Sequence, residues 1–327
     1  VTPTRIGLIG LGNHAYQAYY NSTRWAPAHE LVAVCDVQPE RVERFTRFYA
    51  VPRSHTDYRE MLAAERLDAV LVQIGHAGNG GAIRAAVEAG VHVLVEKTPV
   101  ATTAEADELV ELQRNRGVHV MVGFNRRFMA GYSMAREIIG RAEFGGVHLY
   151  QSQFHAGPYT EGAFAINHIV HHLDLARWLL GEIELMHVQR RVVGERQEAW
   201  SIAFEAATGT IGTIQAASTL DVRYPMERLE LVGSGRNVVV DNITNLVYNR
   251  PPQQRDEDFG TAVLREGGDA LVWNPSNGDY PRFTRQGYEN VIHAFVTALR
   301  RGVQPGPSLA DARRSIALVE RLEEHVQ

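Results

Sequence analysis

The sequence predicts a two-domain α/β protein: a doubly wound parallel sheet, then an α+β domain with a largely antiparallel open sheet. Three observations carry this reading. Short apolar runs alternate with helix-compatible segments up to Val122, a pattern that builds a parallel sheet with helices on both faces. From Gly123 onward, strand-like runs follow one another with few helices between them, as in an antiparallel sheet. The 327 residues suffice for two domains of ordinary size, which we place at 1–122 and 123–327.

Composition narrows the class. With 45% hydrophobic and 22% charged residues the chain is an ordinary globular one. A net charge of −5 with scattered arginines gives no basic stripe for nucleic acid, and no segment has the uncharged apolar length that spans a membrane. Neither partner is expected. Cys35 is the only cysteine, so no intrachain disulfide can form, and strand pattern begins by Arg5 without a basic and apolar leader. A cytoplasmic protein is the expectation.

The first apolar run, Arg5 to Ile9, leads into Gly10-Leu11-Gly12-Asn13-His14-Ala15 and a helix-compatible segment from Tyr16. In this G-x-G-x-x-A turn Gly10 makes the tight bend, Gly12 lets the backbone approach a pyrophosphate, and Ala15 permits close helix packing. That is the Rossmann fingerprint of a dinucleotide site, with Asn13 and His14 as further contacts in the same turn. A second strand, Leu31 to Cys35, ends in Asp36, whose carboxylate can accept both hydroxyls of the adenosine ribose. Its charge repels a 2′-phosphate, so NAD is the expected cofactor. The alternative is a plain βαβ unit with a Gly-rich turn, and the spacing of the acid argues against it.

Asp68 to Ile74 reads as the next strand, followed by a helix through Val87-Glu88-Ala89 that Gly90 stops. Val91 to Val95 is a buried strand ending at Glu96-Lys97. Thr102-x-x-Glu105 is a capping box opening another helix, Gly117 closes it, and Val118 to Gly123 is a short strand. Ligands of such sheets sit outside the carboxyl ends of the strands. Gly10, Asp36, Ile74-Gly75 and Glu96-Lys97 therefore converge on one crevice and form the expected cofactor site.

Lys97 stands out within that set, because every other one of the 33 Lys and Arg residues is arginine. A chain biased so strongly toward arginine has kept a compact, titratable, three-donor ammonium at the end of a buried strand. A permanently charged planar guanidinium could not replace it there, and we take Lys97 as the first catalytic candidate. The bland alternative is a lysine retained by chance on a surface loop.

In the second domain a helix around Ser133 to Ile139 precedes strand-like runs at 147–154, 186–193, 200–204, 209–217, 227–232 and 237–240. The polar, charged stretch from Pro251-Pro252 to Gly268 reads as a loop. Two helices, about Gln286 to Arg301 and Ala310 to His325, end the chain; Gly302 stops the first and Ser308 caps the second. Between Gly162 and Gly181, apolar residues at 166, 169, 170, 173, 176 and 180 have helical period. Asn167, His171 and Asp174 share another face at i, i+4 and i+7, so one helix offers an amide, an imidazole and a carboxylate in a row. His168, His171 and His172 invite a metal, but no cysteine or second acidic cluster completes a ligand set, and no metal is expected. His168 and His172 are read as structural; for His171 that reading stands beside a catalytic one.

These motifs together resemble the glucose-fructose oxidoreductase and inositol dehydrogenase family (Gfo/Idh/MocA). The likeness rests on the fingerprint, Asp36, the Glu96-Lys97 strand end, Gly123-Phe124-Asn125-Arg126-Arg127-Phe128 at the domain junction, and Asn167 to Gly181. It covers nearly the whole chain in the expected order. The resemblance implies an NAD(P)-dependent sugar or cyclitol dehydrogenase in which Lys97 matches the lysine of a Glu-Lys-Pro motif and His171 the catalytic histidine. Thr98 takes the place of the motif proline, Asn167 that of the usual aspartate, and Gly75 to Gly81 differ from the usual Thr-Pro-Asn-like turn.

The expected chemistry is reversible oxidation of a secondary alcohol of a sugar, sugar derivative or cyclitol. His171 takes the hydroxyl proton, since unperturbed imidazole titrates near neutrality; Lys97 donates to the same oxygen and Asn167 orients the hydroxyls. Arg126, His155 and Tyr159 are further substrate contacts expected from the junction and the Phe154 to Tyr159 loop. A homo-oligomer formed through the second sheet is expected. Two other classes remain: a redox-assisted glycosidase using the same Lys and His with tightly held NAD, and a non-catalytic NAD- and sugar-sensing regulator. The presence of both Lys97 and His171 argues against the regulator.

Overall fold

The computed structural model describes residues 2–16, 29–159, 163–221, 226–251, 270–274 and 286–326. Contacts group the chain into two compact units, Val1–Asn125 with Arg282–Glu320, and Arg126–Pro281 with Arg321–Gln327. This division differs from the linear cut at 122/123 in taking 282–320 into the first unit. Backbone and capping bonds account for that: Val122 N donates to Pro307 O at 2.8 Å, and Thr103 N donates to Glu320 Oε1 at 2.8 Å.

In the first unit the described residues form six parallel strands: β1 (Thr4–Ile9), β2 (His29–Cys35), β3 (Arg53–His55), β4 (Ala69–Val72), β5 (His92–Glu96) and β6 (Val120–Gly123). Their order is β3-β2-β1-β4-β5-β6, so the direction of winding reverses between β1 and β4. Helices cover both faces of such a sheet, which is why Leu8, Val70, Leu71 and Val93 are fully buried and the strands read as continuous apolar runs. β3 escaped the sequence reading because Arg-Ser-His at a sheet edge carries no apolar signal. The connecting helices are α1 (Pro39–Tyr49), α2 (Tyr58–Ala64), α3 (His76–Glu88) and α4 (Thr103–Arg116). α4 begins in the expected Thr102/Glu105 capping box and ends at Gly117 in the left-handed region, φ 63°. Beyond Tyr16 the helix expected after the fingerprint lies outside the described residues.

In the second unit α5 (Ala130–Ile139) and α6 (Val170–Leu180) accompany eight strands among the described residues. These are β7 (Leu149–His155), β8 (Ile183–Gly194), β9 (Gln197–Ala206), β10 (Ile211–Ala217), β11 (Met226–Gly233), β12 (Arg236–Asp241), β13 (Asn245–Asn249) and β14 (Ala270–Trp273). The order is β14-β13-β12-β11-β7-β10-β9-β8, antiparallel except for the β7/β10 pair. Alternation along the strands buries Tyr150, Ser152 and Phe154 of β7, Trp200, Ile202 and Phe204 of β9, and Leu229 and Leu231 of β11. α6 packs on β7 and β8. The loop expected from Pro251 to Gly268 lies, beyond Pro251, outside the described residues, and β13 and β14 were too short and polar-flanked to be read.

The last two helices are α7 (Tyr288–Arg300) and α8 (Leu309–His325). As expected, Gly302 closes the first at φ 64°, and Ser308 caps the second by accepting from Asp311 N at 3.2 Å. No helix among the described residues is long and apolar enough to cross a membrane.

Candidate functional site

The fingerprint turn is built for close approach. Gly10 has φ +93°, and a Cβ there would lie 2.6 Å from Gln73 O, so only glycine fits. At Gly12 an added Cβ would meet nothing within 4 Å among the described residues, which is room for a close approach by a ligand. Asp36 is buried and pinned by two backbone amides: Leu11 N donates to Oδ2 at 2.7 Å and Gln38 N to Oδ1 at 3.0 Å. A carboxylate has about four lone-pair sites, so both oxygens retain capacity for ribose hydroxyls. The guanidinium of Arg41 lies 3.6 Å from Oδ2. Asn13 and His14 are exposed at the turn, and Gln73 Nε2 beside it is buried with no hydrogen bond among the described residues. An open glycine cradle, a fixed carboxylate and an unsatisfied donor at the carboxyl ends of β1, β2 and β4 fit a dinucleotide.

Ile74 and Gly75 close β4, and α3 starts directly after them. Its fully buried Asn79 accepts from Ile74 N at 3.3 Å through Oδ1, and donates through Nδ2 to Glu96 O at 3.3 Å and Thr98 O at 3.1 Å. One amide therefore ties the ends of β4 and β5, and half-buried Lys97 sits between the two carbonyls that it holds. The peptide bond from Lys97 to Thr98 is cis. Sequence reasoning passed over Asn79. Its signal was an asparagine in the first turn of a Gly- and Ala-rich helix, where that side chain competes with the helix unless it bonds elsewhere.

In the second unit the helix bearing Asn167 and His171 is not uniform. Residues Ala165–Ile169 form a π-helical turn before α6, so the expected even i, i+4 spacing is replaced by a wider turn at Asn167. Asn167 Nδ2 donates to Ala163 O at 3.0 Å across that turn. Asn167 and His171 are both buried, at 7% and 8% exposure. Asp174 takes a bidentate ion pair from Arg127, at 2.8 and 2.6 Å, which anchors α6 rather than facing a reactant. Arg126, its neighbour in sequence, makes a buried bidentate pair with Glu227 at 2.8 and 2.7 Å, and Tyr132 OH donates to the same carboxylate at 2.5 Å. Consecutive arginines thus fasten one turn to the sheet and to α6. This geometry gives Arg126 a structural partner in Glu227, beside the substrate contact expected of it. Alternation along β7 likewise puts His155 on the face opposite Phe154, while the Tyr159 ring stands edge-on to His168 at 4.4 Å.

His172 is fully buried and 3.7 Å from Glu227, yet it forms no ion pair near neutrality. Burial pushes its pKa down to about 4, with Glu227 opposing and Arg126 and His155 adding to the fall. Burial works against the charge of Glu227, but Arg126 together with His172 and the Tyr132 hydroxyl holds this carboxyl below the usual range. The sign of the stability effect follows. The unfolded chain, with the imidazole at 6.5, takes up this proton before the folded one, so stability is full above that value and falls as pH drops toward 4. Between pH 7 and 5 the loss through this group is about 2 kcal/mol. Denaturant unfolding of His172→Gln at both pH values should show a correspondingly smaller drop than the wild type. Identical drops would show that His172 is not the group responsible.

Comparison with known proteins fits this geometry. Residues 4–124 match the family model described as "Oxidoreductase family, NAD-binding Rossmann fold". Residues 4–124 are thus similar to the NAD-binding domain of the Gfo/Idh/MocA family. The chain is an oxidoreductase with an NAD-binding Rossmann domain. A curated relative, myo-inositol 2-dehydrogenase of Thermotoga maritima, is 24% identical over 96% of this chain and 93% of its own length. Two solved structures share the fold of this chain. A dehydrogenase from Chromobacterium violaceum has TM-score 0.87 at 23% identity, covering 100% of this chain and 96% of its own. An oxidoreductase from Agrobacterium radiobacter, solved in complex with NAD+, L-tartaric acid and magnesium, has TM-score 0.85 at 16% identity, covering 99% and 96%.

Proposed function

We propose that this oxidoreductase transfers a hydride between a secondary alcohol of a sugar, sugar derivative or cyclitol and the nicotinamide ring of NAD. The observation that carries the reading is the lone lysine at the end of β5, clamped through Asn79 in the same unit as the Gly10 turn and Asp36. The inositol dehydrogenase named among the relatives supports the substrate class, and the Agrobacterium structure with NAD+ supports the cofactor. Bound NAD supplies the hydride acceptor or donor. Lys97 donates to the carbinol oxygen and stabilises its developing negative charge, His171 takes the hydroxyl proton, and Asn167 positions hydroxyls. We propose a homo-oligomer contact through the open face of the second-unit sheet, which carries the uncharged side chains of Gln151, Ser201, Thr213 and Gln215.

A panel of inositols, aldoses, glycosides and nucleotide sugars, read by absorbance of reduced cofactor, tests the reaction. Reduced cofactor formed with a polyol or sugar supports it. Free sugar released from a glycoside without net reduction would make the protein a redox-assisted glycosidase, and binding without either reaction a sensor. NAD specificity has its own expected outcome. Asp36 should make NAD bind at least about tenfold tighter than NADP, or about 1.4 kcal/mol, and Asp36→Ala should narrow that gap. Tighter NADP binding by the unmodified protein would sink this assignment.

A further inference from the structure

We propose that Gln73 is a cofactor-binding residue: its side-chain amide, held by His14 and Tyr288, donates to the nicotinamide-side half of the dinucleotide, at its phosphate or its ribose. This rests on the reading of the β1/β4 cleft as a dinucleotide site. Gln73 follows β4 directly, its N donates to Ile9 O at 2.8 Å, and its carbonyl is the group that excludes a Cβ at Gly10. It therefore borders the fingerprint turn where the winding of the sheet reverses, the place where a dinucleotide crosses such a fold.

The orientation of the amide is set from outside the fingerprint. Oε1 of Gln73 lies 3.3 Å from His14 Nδ1, and His14 Nε2 lies 3.0 Å from the hydroxyl of Tyr288, 274 residues away in sequence. The two rings meet edge to face, with centroids 5.4 Å apart and planes at 81°. Tyr288 is buried at the start of α7, so it is an anchor and not a surface contact. When Oε1 accepts from Nδ1–H, Nε2 of the neutral ring accepts from the tyrosine hydroxyl, and the relay from Tyr288 to Gln73 is consistent in its donors and acceptors. The Gln73 Nε2 is then left buried, without a hydrogen bond among the described residues, at the ligand end of the sheet. A buried donor of that kind calls for an acceptor, and phosphate or ribose oxygens are the acceptors that a dinucleotide brings there. The glycines of the fingerprint offer backbone amides only, so Gln73 adds a side-chain donor that the motif does not encode.

Calorimetric affinities of NAD, ADP-ribose and AMP for the full chain test this. Gln73→Leu should weaken NAD and ADP-ribose about tenfold and leave AMP unchanged, because AMP stops short of the portion that Gln73 reaches. The ligand-free melting temperature should stay level or rise, since an unsatisfied buried donor has been removed. Gln73→Glu keeps an acceptor for His14 and turns an oxygen on the ligand, so the same two losses should exceed about a hundredfold. Tyr288→Phe should weaken NAD and ADP-ribose by about threefold or more, and the Tyr288→Phe, Gln73→Leu double variant should be no worse than Gln73→Leu alone. Unchanged ADP-ribose affinity in both Gln73 variants would overturn the proposal while leaving the cleft reading intact. An AMP loss as large as the ADP-ribose loss would also overturn it, as general damage to the cleft. Absence of NAD binding by the wild type would overturn the cleft reading and this proposal together.

Discussion

Lys97→Arg is expected to lose most turnover, about a hundredfold or more, while its NAD affinity stays within about tenfold of the wild type, about 1.4 kcal/mol. The substitution keeps the positive charge, so uniform electrostatic attraction for substrate and cofactor survives. What changes is shape and proton chemistry. An ammonium is a compact head with three rotatable donors that can follow an oxygen as it gains charge, whereas a guanidinium is a longer, rigid fork that does not release its proton. The backbone on either side of Lys97 is restrained against accommodating the longer side chain, because Asn79 holds the carbonyls of Glu96 and Thr98 at 3.3 and 3.1 Å. The loss should therefore appear in kcat, and NAD titration of the same variant separates it from a folding defect. Near-normal turnover would mean that the single lysine of this arginine-rich chain is an accident.

The features legible in the sequence were those with a local cause. Strands buried on both faces gave uninterrupted apolar runs, and Thr102/Glu105, Gly117, Gly302 and Ser308 marked helix ends through their own side chains or their own φ. Gly10 could be read because a tight turn demands glycine, and Asp36 because its distance from that turn follows from the geometry of one βαβ unit. What stayed hidden depends on partners remote in sequence. Arg126 drew notice as a cation at a junction, but its ion pair was hidden: Glu227 lies 101 residues on, and only the folded sheet brings them together. Asp174 and Arg127 are 47 residues apart and were hidden for the same reason. Asn79 was missed because its three bonds run to backbone atoms, which carry no sequence signal. The wide turn at Ala165–Ile169 was also invisible, since apolar periodicity over one turn does not distinguish a π-helical turn from an α-helical one.

That turn bears on the second large effect. His171→Ala is expected to lower turnover by about 10² to 10⁴, the range for a lost general base, and to flatten the ascending limb of the pH profile. Asn167→Ala should raise KM and keep the limb. The contrast arises from charge. An aspartate at position 167 could pair electrostatically with cationic groups and share a proton, but a neutral amide cannot, so on the proposed mechanism proton handling should fall to His171 with Lys97 assisting. Asn167 also donates to Ala163 O at 3.0 Å, so its loss loosens the wide turn and should act on positioning before chemistry. His171 sits past the turn on α6, whose Asp174 is locked to Arg127 at 2.8 and 2.6 Å, and its place should survive the Asn167 change. Steady-state kinetics of both variants across pH 5 to 9, about two units either side of neutrality, distinguishes the two roles. Equal losses with unchanged profiles would show that neither residue holds the proton, and would move the base to Lys97 or to a group not yet identified.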